Sequence, residues 1–212
     1  KAEFQDAVDW FGVGFGATPR LLSFWEANGY RTVHLSVTAN ATSGEHSALM
    51  LSPTSAVGRE LTDRHVRWFR ERIASQLADP LSGVDPDVVR GAIAAATLLN
   101  ENGSDSALAL DERGWRLLAG VAYGPGTYEA APQVFRQLAM AQLTESIADL
   151  SPRDERLLVR KALQGAPWAT VADELGFVSE RECKRAFGSI ARAFCAAVDT
   201  DVVADERRRY GE

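Results

Sequence analysis

The spacing of apolar residues changes once along the chain. Apolar residues recur at every second position in three segments, Val8–Phe15, Thr32–Val37 and Glu45–Leu51, and this spacing predicts β-strands. After Pro53 the spacing becomes that of amphipathic helices and stays so. The sequence therefore predicts an α+β chain that begins with a small sheet and continues as an all-α region.

One helix interrupts the predicted strands. Thr18-Pro19 combines an N-cap residue with a proline in the first helical turn, and Asn28-Gly29 supplies the residue types that end helices. The next two strands are expected to pair through the polar loop Thr38–Gly44. The expected order is strand, helix, strand, strand.

The region after residue 53 reads as a series of helices separated by breakers such as Gly124-Pro125-Gly126. We expect a boundary near residues 53–60 and three parts: 1–57, 58–150 and 151–212. The four helices predicted before residue 150 are Asp63–Leu77, Asp85–Asn100, Asp111–Tyr123 and Ala131–Ile147.

The last sixty residues are typical of a helix-turn-helix. Ser151-Pro152 opens one helix, Gly165-Ala166-Pro167 ends it, and a short second helix stops at Gly176. Ser179-Glu180-Arg181-Glu182 matches a capping box and opens a long helix. The apolar residues of that helix share one face: Cys183, Phe187, Ile190, Ala191 and Phe194.

Composition excludes several classes of protein. The chain has 212 residues, 46% of them hydrophobic and 25% charged, and no apolar stretch reaches the roughly 18 residues of a membrane span. Its two cysteines, Cys183 and Cys195, lie about 18 Å apart on one predicted helix and are too distant for a disulfide. The sequence has no signal-peptide pattern, and we therefore expect a cytoplasmic protein without a membrane partner. We also predict no metal site.

The net charge of −6 is carried by the first 150 residues, which leaves room for a basic surface near the end. Arg181, Lys184, Arg185 and Arg192 fall opposite the apolar face of the last long helix, as suits contacts with nucleic-acid phosphates. A merely solvated face is the alternative. The end of the chain, Asp199–Glu212, is expected to fray.

A glycine-rich segment, Gly12–Ala17, matches the loose dinucleotide-binding pattern GxGxxG/A between a strand and a helix. A Rossmann unit also needs an acidic residue after its second parallel strand, whereas Thr38-Ala39-Asn40 follows here. A dinucleotide-binding site at Gly12–Ala17 is therefore not favoured.

A different resemblance rests on the residues around the first helix. Leu22–Tyr30 resembles motif B of the GCN5-related N-acetyltransferases. Phe11–Leu22, Phe24-Trp25, Gly29-Tyr30 and Gly44–Leu51 together resemble the RNA (tRNA(Met)) cytidine acetyltransferase family over roughly residues 8 to 53.

The resemblance implies a C-terminal part of a larger enzyme that acetylates N4 of cytidine, at the wobble position of tRNA, using acetyl-CoA and ATP. It implies upstream acetyltransferase and helicase-like ATPase modules as partners, and a tail that binds tRNA. This chain would supply the last third of the acetyltransferase sheet. Neither the pyrophosphate loop nor the GxxxxGK[ST] loop occurs in it, so we expect the chain alone to be inactive and to bind neither cofactor tightly.

The resemblance also suggests site residues. Relatives of this fold often carry a tyrosine that protonates CoA where this chain has Phe24-Trp25, and an indole N–H is too weak an acid to replace it. Trp25 would then line the pantetheine channel or belong to the core, and Arg20 would approach a CoA phosphate or remain solvated. For the base that removes the N4 proton, the candidates are His46 and Glu45, with a structural role as the alternative for His46.

Two other classes of function remain open at this point. Residues 151–198 could be the reader of a helix-turn-helix DNA-binding regulator, with the first fifty residues an unrelated sheet. A remnant of a protein N-acetyltransferase is the third possibility.

Overall fold

A computed structural model describes residues 8–99, 110–198 and 200–211 of the chain. Residue contacts divide the chain into two units, Lys1–Asp105 and Ser106–Glu212. The first contains a three-stranded sheet with helices, and the described part of the second is helical. The predicted α+β class, a partial acetyltransferase sheet followed by an all-α region, is confirmed.

The sheet of the first unit consists of β1 (Trp10–Gly16), β2 (Arg31–Ala39) and β3 (His46–Pro53). Its order is β1-β3-β2, so the last strand lies between the first two, and both pairings are antiparallel. The predicted pairing of β2 with β3 is confirmed. The antiparallel pairing of the glycine-rich β1 also differs from the parallel arrangement that a Rossmann unit requires.

The centre of the sheet is buried on the side of Ala48 and Met50, which are 1% and 0% exposed. Leu35 pairs with Ala48 and is also buried. Val37, expected on the same face as Leu35, is instead 43% exposed. The cause is a shift in the β2–β3 register between Leu35 and Ala39, which breaks the alternation of side chains.

The first helix, α1 (Pro19–Ala27), begins and ends where its local signals predict. The hydroxyl of Thr18 accepts the Leu21 N–H at 3.3 Å, and Pro19 occupies the first turn. At the other end Gly29 has φ +82°, a left-handed conformation that glycine adopts without strain.

Two further helices pack with the sheet: α2 (Ala56–Gln76) and α3 (Pro86–Ala94). The predicted start of α2 at Asp63 is wrong because Ser55, whose hydroxyl accepts the Gly58 N–H, is the N-cap. Asp63 is buried and accepts the Leu99 N–H at 2.7 Å.

The helix α3 ends at Ala94, before the predicted end at Asn100, a residue outside the described ones. The Ala95 carbonyl accepts the Thr32 N–H of β2, and the Ala96 carbonyl accepts Arg70 Nε. Tertiary partners therefore take the carbonyls that would continue the helix. The first unit extends beyond the boundary that the sequence predicts near residues 53–60. The division of the chain by function at residue 57 stays a prediction.

The second unit is built from helices whose starts follow proline or capping residues. A 3-10 turn, Tyr128–Ala130, and a π-helical segment, Val159–Leu163, lie between them. The helices are α4 (Glu112–Tyr123), α5 (Pro132–Glu145), α6 (Pro152–Leu158), α7 (Trp168–Glu174), α8 (Glu180–Val198) and α9 (Asp201–Arg209).

Aromatic rings fill the centre of this second unit. Phe187 is 1% exposed, and its ring lies 4.7 Å from that of Phe135 and 5.4 Å from those of Tyr128 and Trp168. The Trp168 indole N–H donates to Glu129 Oε1 at 2.7 Å, so its polar atom is satisfied. The face of α8 predicted to be apolar therefore forms this core.

The helix-turn-helix pattern is confirmed as α7, a turn through Gly176 (φ +68°) and α8. The hydroxyl of Ser179 accepts the Glu182 N–H at 3.2 Å, as the capping box predicts. The Glu182 carboxylate, however, accepts the N–H of Val178 at 2.7 Å rather than that of Ser179. The Glu182 side chain therefore also holds the backbone of the turn between α7 and α8.

The end of the chain is ordered, and the prediction that it frays is wrong for the described residues. Residues 201–209 form α9, which packs on α4, and Val203 is 3% exposed. Tyr210 lies so close to Gly124 that a Cβ there would overlap its ring. These contacts join elements distant in sequence.

No helix among residues 8–99, 110–198 and 200–211 is long and apolar enough to cross a membrane. Cys183 and Cys195 are both buried and free, as their spacing on α8 predicts.

Candidate active site

A cavity of about 280 Å³ lies at one end of the sheet in the first unit. It is bounded by the start of α1, the start of β3 and the loop that leads into α3. Its lining residues are Ala17, Thr18, Pro19, Gly44, Glu45, His46, Gly83, Val84, Asp85 and Val88. Both residues predicted as candidate bases, His46 and Glu45, thus line one concave surface.

His46 is held by its backbone and by its ring. Its carbonyl accepts the Ala17 N–H at 2.7 Å, which joins β3 to the entry of α1. Its ring Nδ1 lies 2.7 Å from the Ser36 carbonyl oxygen. A carbonyl oxygen only accepts hydrogen bonds, so Nδ1 carries the hydrogen, and in the neutral ring Nε2 holds a lone pair that can take a proton.

The carbonyl that binds His46 belongs to the irregular part of β2. The Ser36 hydroxyl donates to the Thr38 carbonyl at 2.9 Å and accepts the Thr38 N–H at 3.1 Å. These two bonds hold the backbone where the register shifts. The shift therefore orients the Ser36 carbonyl toward His46.

Glu45 lies beside Gly16, the last residue of β1. A Cβ added at Gly16 would overlap a carboxylate oxygen of Glu45, so the glycine leaves the space that the carboxylate occupies. Glu45 also donates its N–H to Ser43 Oγ at 3.4 Å, and its carbonyl accepts the Asn40 N–H at 2.8 Å. The predicted polar loop thus positions a carboxylate next to His46.

Sequence reasoning missed the third wall of the cavity. Asp85 is the N-cap of α3, and its Oδ1 accepts the Asp87 N–H at 2.7 Å. The Asp85-Pro86 pair marks a helix start in the sequence, but nothing local indicates that this start faces His46.

The two predicted cofactor contacts lie on α1. Arg20 is exposed in its first turn. Trp25 is half-buried, and its ring lies 4.9 Å from that of Tyr30 and 6.3 Å from that of Phe15. Trp25 therefore belongs to an aromatic cluster between α1 and the strands on either side.

The predicted basic face lies on α8 in the second unit. Arg181, Lys184 and Arg185 are exposed, and Lys184 pairs loosely with Glu180 at 3.8 Å. Arg192 is exposed, but its Nε donates to the Ala122 carbonyl at 2.6 Å and so also caps the end of α4.

Comparison with known proteins agrees with a partial acetyltransferase sheet followed by helices. The family described as GNAT acetyltransferase 2 matches residues 1–55, which include β1, α1, β2 and β3. Residues 1–55, which include His46 and Glu45, therefore match part of an acetyltransferase domain.

Similarity to complete proteins extends over almost the whole chain. The tRNA(Met) cytidine acetyltransferase TmcA of Haloferax volcanii is 51% identical over 99% of the chain, and that of Haloarcula marismortui is 47% identical over the same share. The TmcA of Methanopyrus kandleri is 36% identical over 79% of the chain. The chain belongs to the tRNA(Met) cytidine acetyltransferase family. It spans about a quarter of the first two relatives, 27% of each.

Proposed function

We propose that the chain is part of an RNA cytidine N4-acetyltransferase that modifies the wobble cytidine of tRNA, with acetyl-CoA and ATP as cosubstrates of the whole protein. The observation that supports this best is the cavity in which His46, with its Nδ1 bound to a carbonyl, lies beside Glu45. The relatives that match the chain are named for acetylation of tRNA(Met) cytidine. We also propose that upstream acetyltransferase and helicase-like ATPase modules complete the enzyme.

His46 would act as the general base. The exocyclic N4 of cytosine is a poor nucleophile, and it must lose a proton as it forms the amide bond. The lone pair on Nε2 of His46 would take that proton, while the hydrogen bond from Nδ1 to the Ser36 carbonyl keeps the ring oriented. Acetyl-CoA, when bound, supplies the acetyl group as a thioester.

Glu45 would assist by orienting the cytosine. A carboxylate accepts a hydrogen bond from the N4 amino group, and this contact distinguishes cytosine from uracil. This role is compatible with Gly16, whose missing Cβ leaves the space that the Glu45 carboxylate occupies. If His46 is only structural, Glu45 is the remaining candidate base of the predicted pair.

The residues of α1 fit a CoA contact in part. Arg20 is exposed and cationic, as a phosphate contact requires, and Trp25 presents an apolar ring that could line a pantetheine channel. Trp25 cannot protonate the CoA thiolate, so that proton must come from another group.

The tail would position tRNA through Arg181, Lys184, Arg185 and Arg192 of α8. Their exposure and positive charge support contacts with phosphates. Replacing Arg181 and Arg185 with glutamine should weaken the binding of unrelated RNAs alike, and it should reduce the log–log salt slope by about 0.7 for each phosphate that is no longer neutralised. An unchanged salt slope of RNA binding would show that this face of α8 is solvated and does not contact phosphates.

A DNA-binding regulator is less well supported. The relatives that match almost the whole chain, α7 and α8 included, are named as tRNA(Met) cytidine acetyltransferases rather than as DNA-binding regulators. A protein N-acetyltransferase would share the sheet, but the named relatives modify tRNA.

The test of the proposal is acetylation by the complete protein under single-turnover conditions. We expect His46→Ala to lower the rate by about 10² and to leave acetyl-CoA affinity nearly unchanged. His65→Ala, which changes a histidine on α2 outside the cavity lining, is the matched control and should keep the wild-type rate. A folded His46→Ala protein with the wild-type rate would contradict the base assignment.

A further inference from the structure

The contact between Ser36 and the ring of His46 occurs where strands β2 and β3 fall out of register. The pair Leu35–Ala48 is followed by the pair Ala39–His46. Between these pairs β2 advances by four residues and β3 by two, so two extra residues of β2 bulge out of the ladder. Bulges of this kind redirect backbone groups and are frequent beside active sites.

The Ser36 side chain closes a small hydrogen-bonded ring within this bulge. Its hydroxyl donates to the Thr38 carbonyl at 2.9 Å and accepts the Thr38 N–H at 3.1 Å. The planar peptide between Ser36 and Val37 lies inside that ring, so the two bonds set the direction of the Ser36 carbonyl. Val37, Thr38 and Ala39 are exposed, so packing restrains the bulge only weakly.

The carbonyl held in this way binds the side chain of His46. Its oxygen lies 2.7 Å from Nδ1, and the backbone of His46 is anchored separately, because its own carbonyl accepts the Ala17 N–H at 2.7 Å. What remains free in His46 is the rotation of the ring and the choice of the nitrogen that carries the hydrogen. In a neutral imidazole, the partner of one nitrogen decides that choice.

We propose that Ser36 is a positioning residue for acetyl transfer: its hydroxyl directs the carbonyl that binds Nδ1 of His46, and this bond keeps the Nε2 lone pair available to take the cytidine proton. The inference rests on the proposed function, in which His46 is the general base. Ser36 acts through His46 and does not itself touch the substrate.

Loss of the hydroxyl should change the ring without changing the sheet. The bulge lies at the exposed end of β2, whereas the ladder of β3 with β1 runs over seven residue pairs and does not involve Ser36. Without the hydroxyl the Ser36 carbonyl is free to turn, and water competes for Nδ1. The tautomer with its hydrogen on Nε2 then becomes populated, and that tautomer has no lone pair on Nε2 to accept a proton.

The first experiment reads the tautomer directly. Two-bond ¹H–¹⁵N correlation spectra of the whole chain are recorded at about pH 8.5, above the ordinary titration range of imidazole, and the His46 signals are assigned from their loss in His46→Ala. We expect one tautomer, with hydrogen on Nδ1, in the wild type and a mixture in Ser36→Ala. Ser47→Ala removes the exposed hydroxyl next to His46 on β3 and is the matched control, which should keep the wild-type tautomer.

A second pair of variants separates the hydroxyl from the shape of the side chain. Threonine and valine have the same size and both suit a strand, but only threonine carries a hydroxyl. Ser36→Thr should therefore keep the wild-type tautomer, and Ser36→Val should give the mixture. This pair also decides the question if Ser36→Ala does not fold.

The second experiment measures acetylation by the complete protein under single-turnover conditions. Ser36→Ala and Ser36→Val should lower the rate by about tenfold and leave acetyl-CoA affinity unchanged, because a misplaced base slows proton transfer without altering cofactor contacts. Ser36→Thr should restore most of the rate, and Ser47→Ala should keep all of it.

The two experiments distinguish failure of the inference from failure of the proposed function. A wild-type tautomer in both Ser36→Ala and Ser36→Val, or a mixture already present in the wild type, would overturn the positioning role. So would wild-type rates in these two variants while His46→Ala is slow, and in that case the base assignment stands. Wild-type rates in the Ser36 variants and in His46→Ala alike would overturn the base assignment itself, and the positioning role with it.

Discussion

The ion pair between Arg160 and Glu174 should be the strongest single electrostatic contact in the helix-turn-helix region. Arg160 is 9% exposed, and its Nε and Nη2 lie 2.6 and 2.7 Å from the two carboxylate oxygens of Glu174. Its Nη1 donates to Gln164 Oε1 at 2.9 Å. The guanidinium is thus fully engaged, and the bidentate pair joins the π-helical segment to α7.

The perturbation is Glu174→Gln, which keeps the size of the side chain and removes its charge. Removing one partner of a buried pair costs about 3–5 kcal/mol because the other charge stays buried without compensation. The Glu174 side chain is 42% exposed, so water screens part of this interaction. We therefore expect a decrease of about 2 kcal/mol in the free energy of unfolding of the second unit.

The chain offers a matched control in the same unit. Arg116 and Glu112 form an i,i+4 pair on α4 whose side chains are 59% and 63% exposed. Glu112→Gln should cost no more than about 0.5 kcal/mol. Urea denaturation followed by pulsed hydrogen exchange reports the two units separately. Equal decreases in the two variants, or no decrease in Glu174→Gln, would refute the claim that burial sets the strength of the pair.

Further predictions concern the core, the thiols and the cofactor. Phe187→Ala should lower the free energy of unfolding of the second unit by about 3–5 kcal/mol, measured in urea, because it opens a cavity among three rings; a decrease below about 1 kcal/mol would contradict this packing. Burial raises the pKa of Cys195 to about 12, so the folded state holds a proton that the unfolded state releases near pH 9. Stability should fall as pH rises from 9 to 12, and less so in Cys195→Ala; an identical pH dependence in the two proteins would be inconsistent with this shift. Calorimetric titration of the chain alone with acetyl-CoA should show no micromolar binding, since the sequence lacks a pyrophosphate loop; micromolar affinity would revive the glycine pattern at Gly12–Gly16.

Elements that depend on neighbouring residues were predictable from the sequence. Thr18-Pro19 and Asn28-Gly29 bound α1, and Ser151 and Ser179 cap α6 and α8, because these signals act within one helical turn. The apolar spacing of α8 likewise identified its buried face. Local chemistry decides such features, so local patterns identify them.

Features that depend on distant partners were not predictable. The end of α3 depends on carbonyls taken by Thr32 and Arg70, and the order of α9 depends on its packing against α4. His46 and Glu45 were predicted from the sequence as candidate bases, but the hydrogen bond from His46 to Ser36 depends on an irregular register in β2. Periodicity does not reveal a register shift, because it assumes that side chains alternate without interruption.

The candidate active site also explains why the first unit continues beyond the acetyltransferase match at residue 55. Near its start, α2 lies beside Asp9 and Pro53, at one end of the sheet. The chain then returns along α2 to Val84 and Asp85, which line the cavity with His46 at the other end. The helices after the sheet thus supply one wall of the cavity, and removing residues 58–105 as a separate tail would expose His46 on that side.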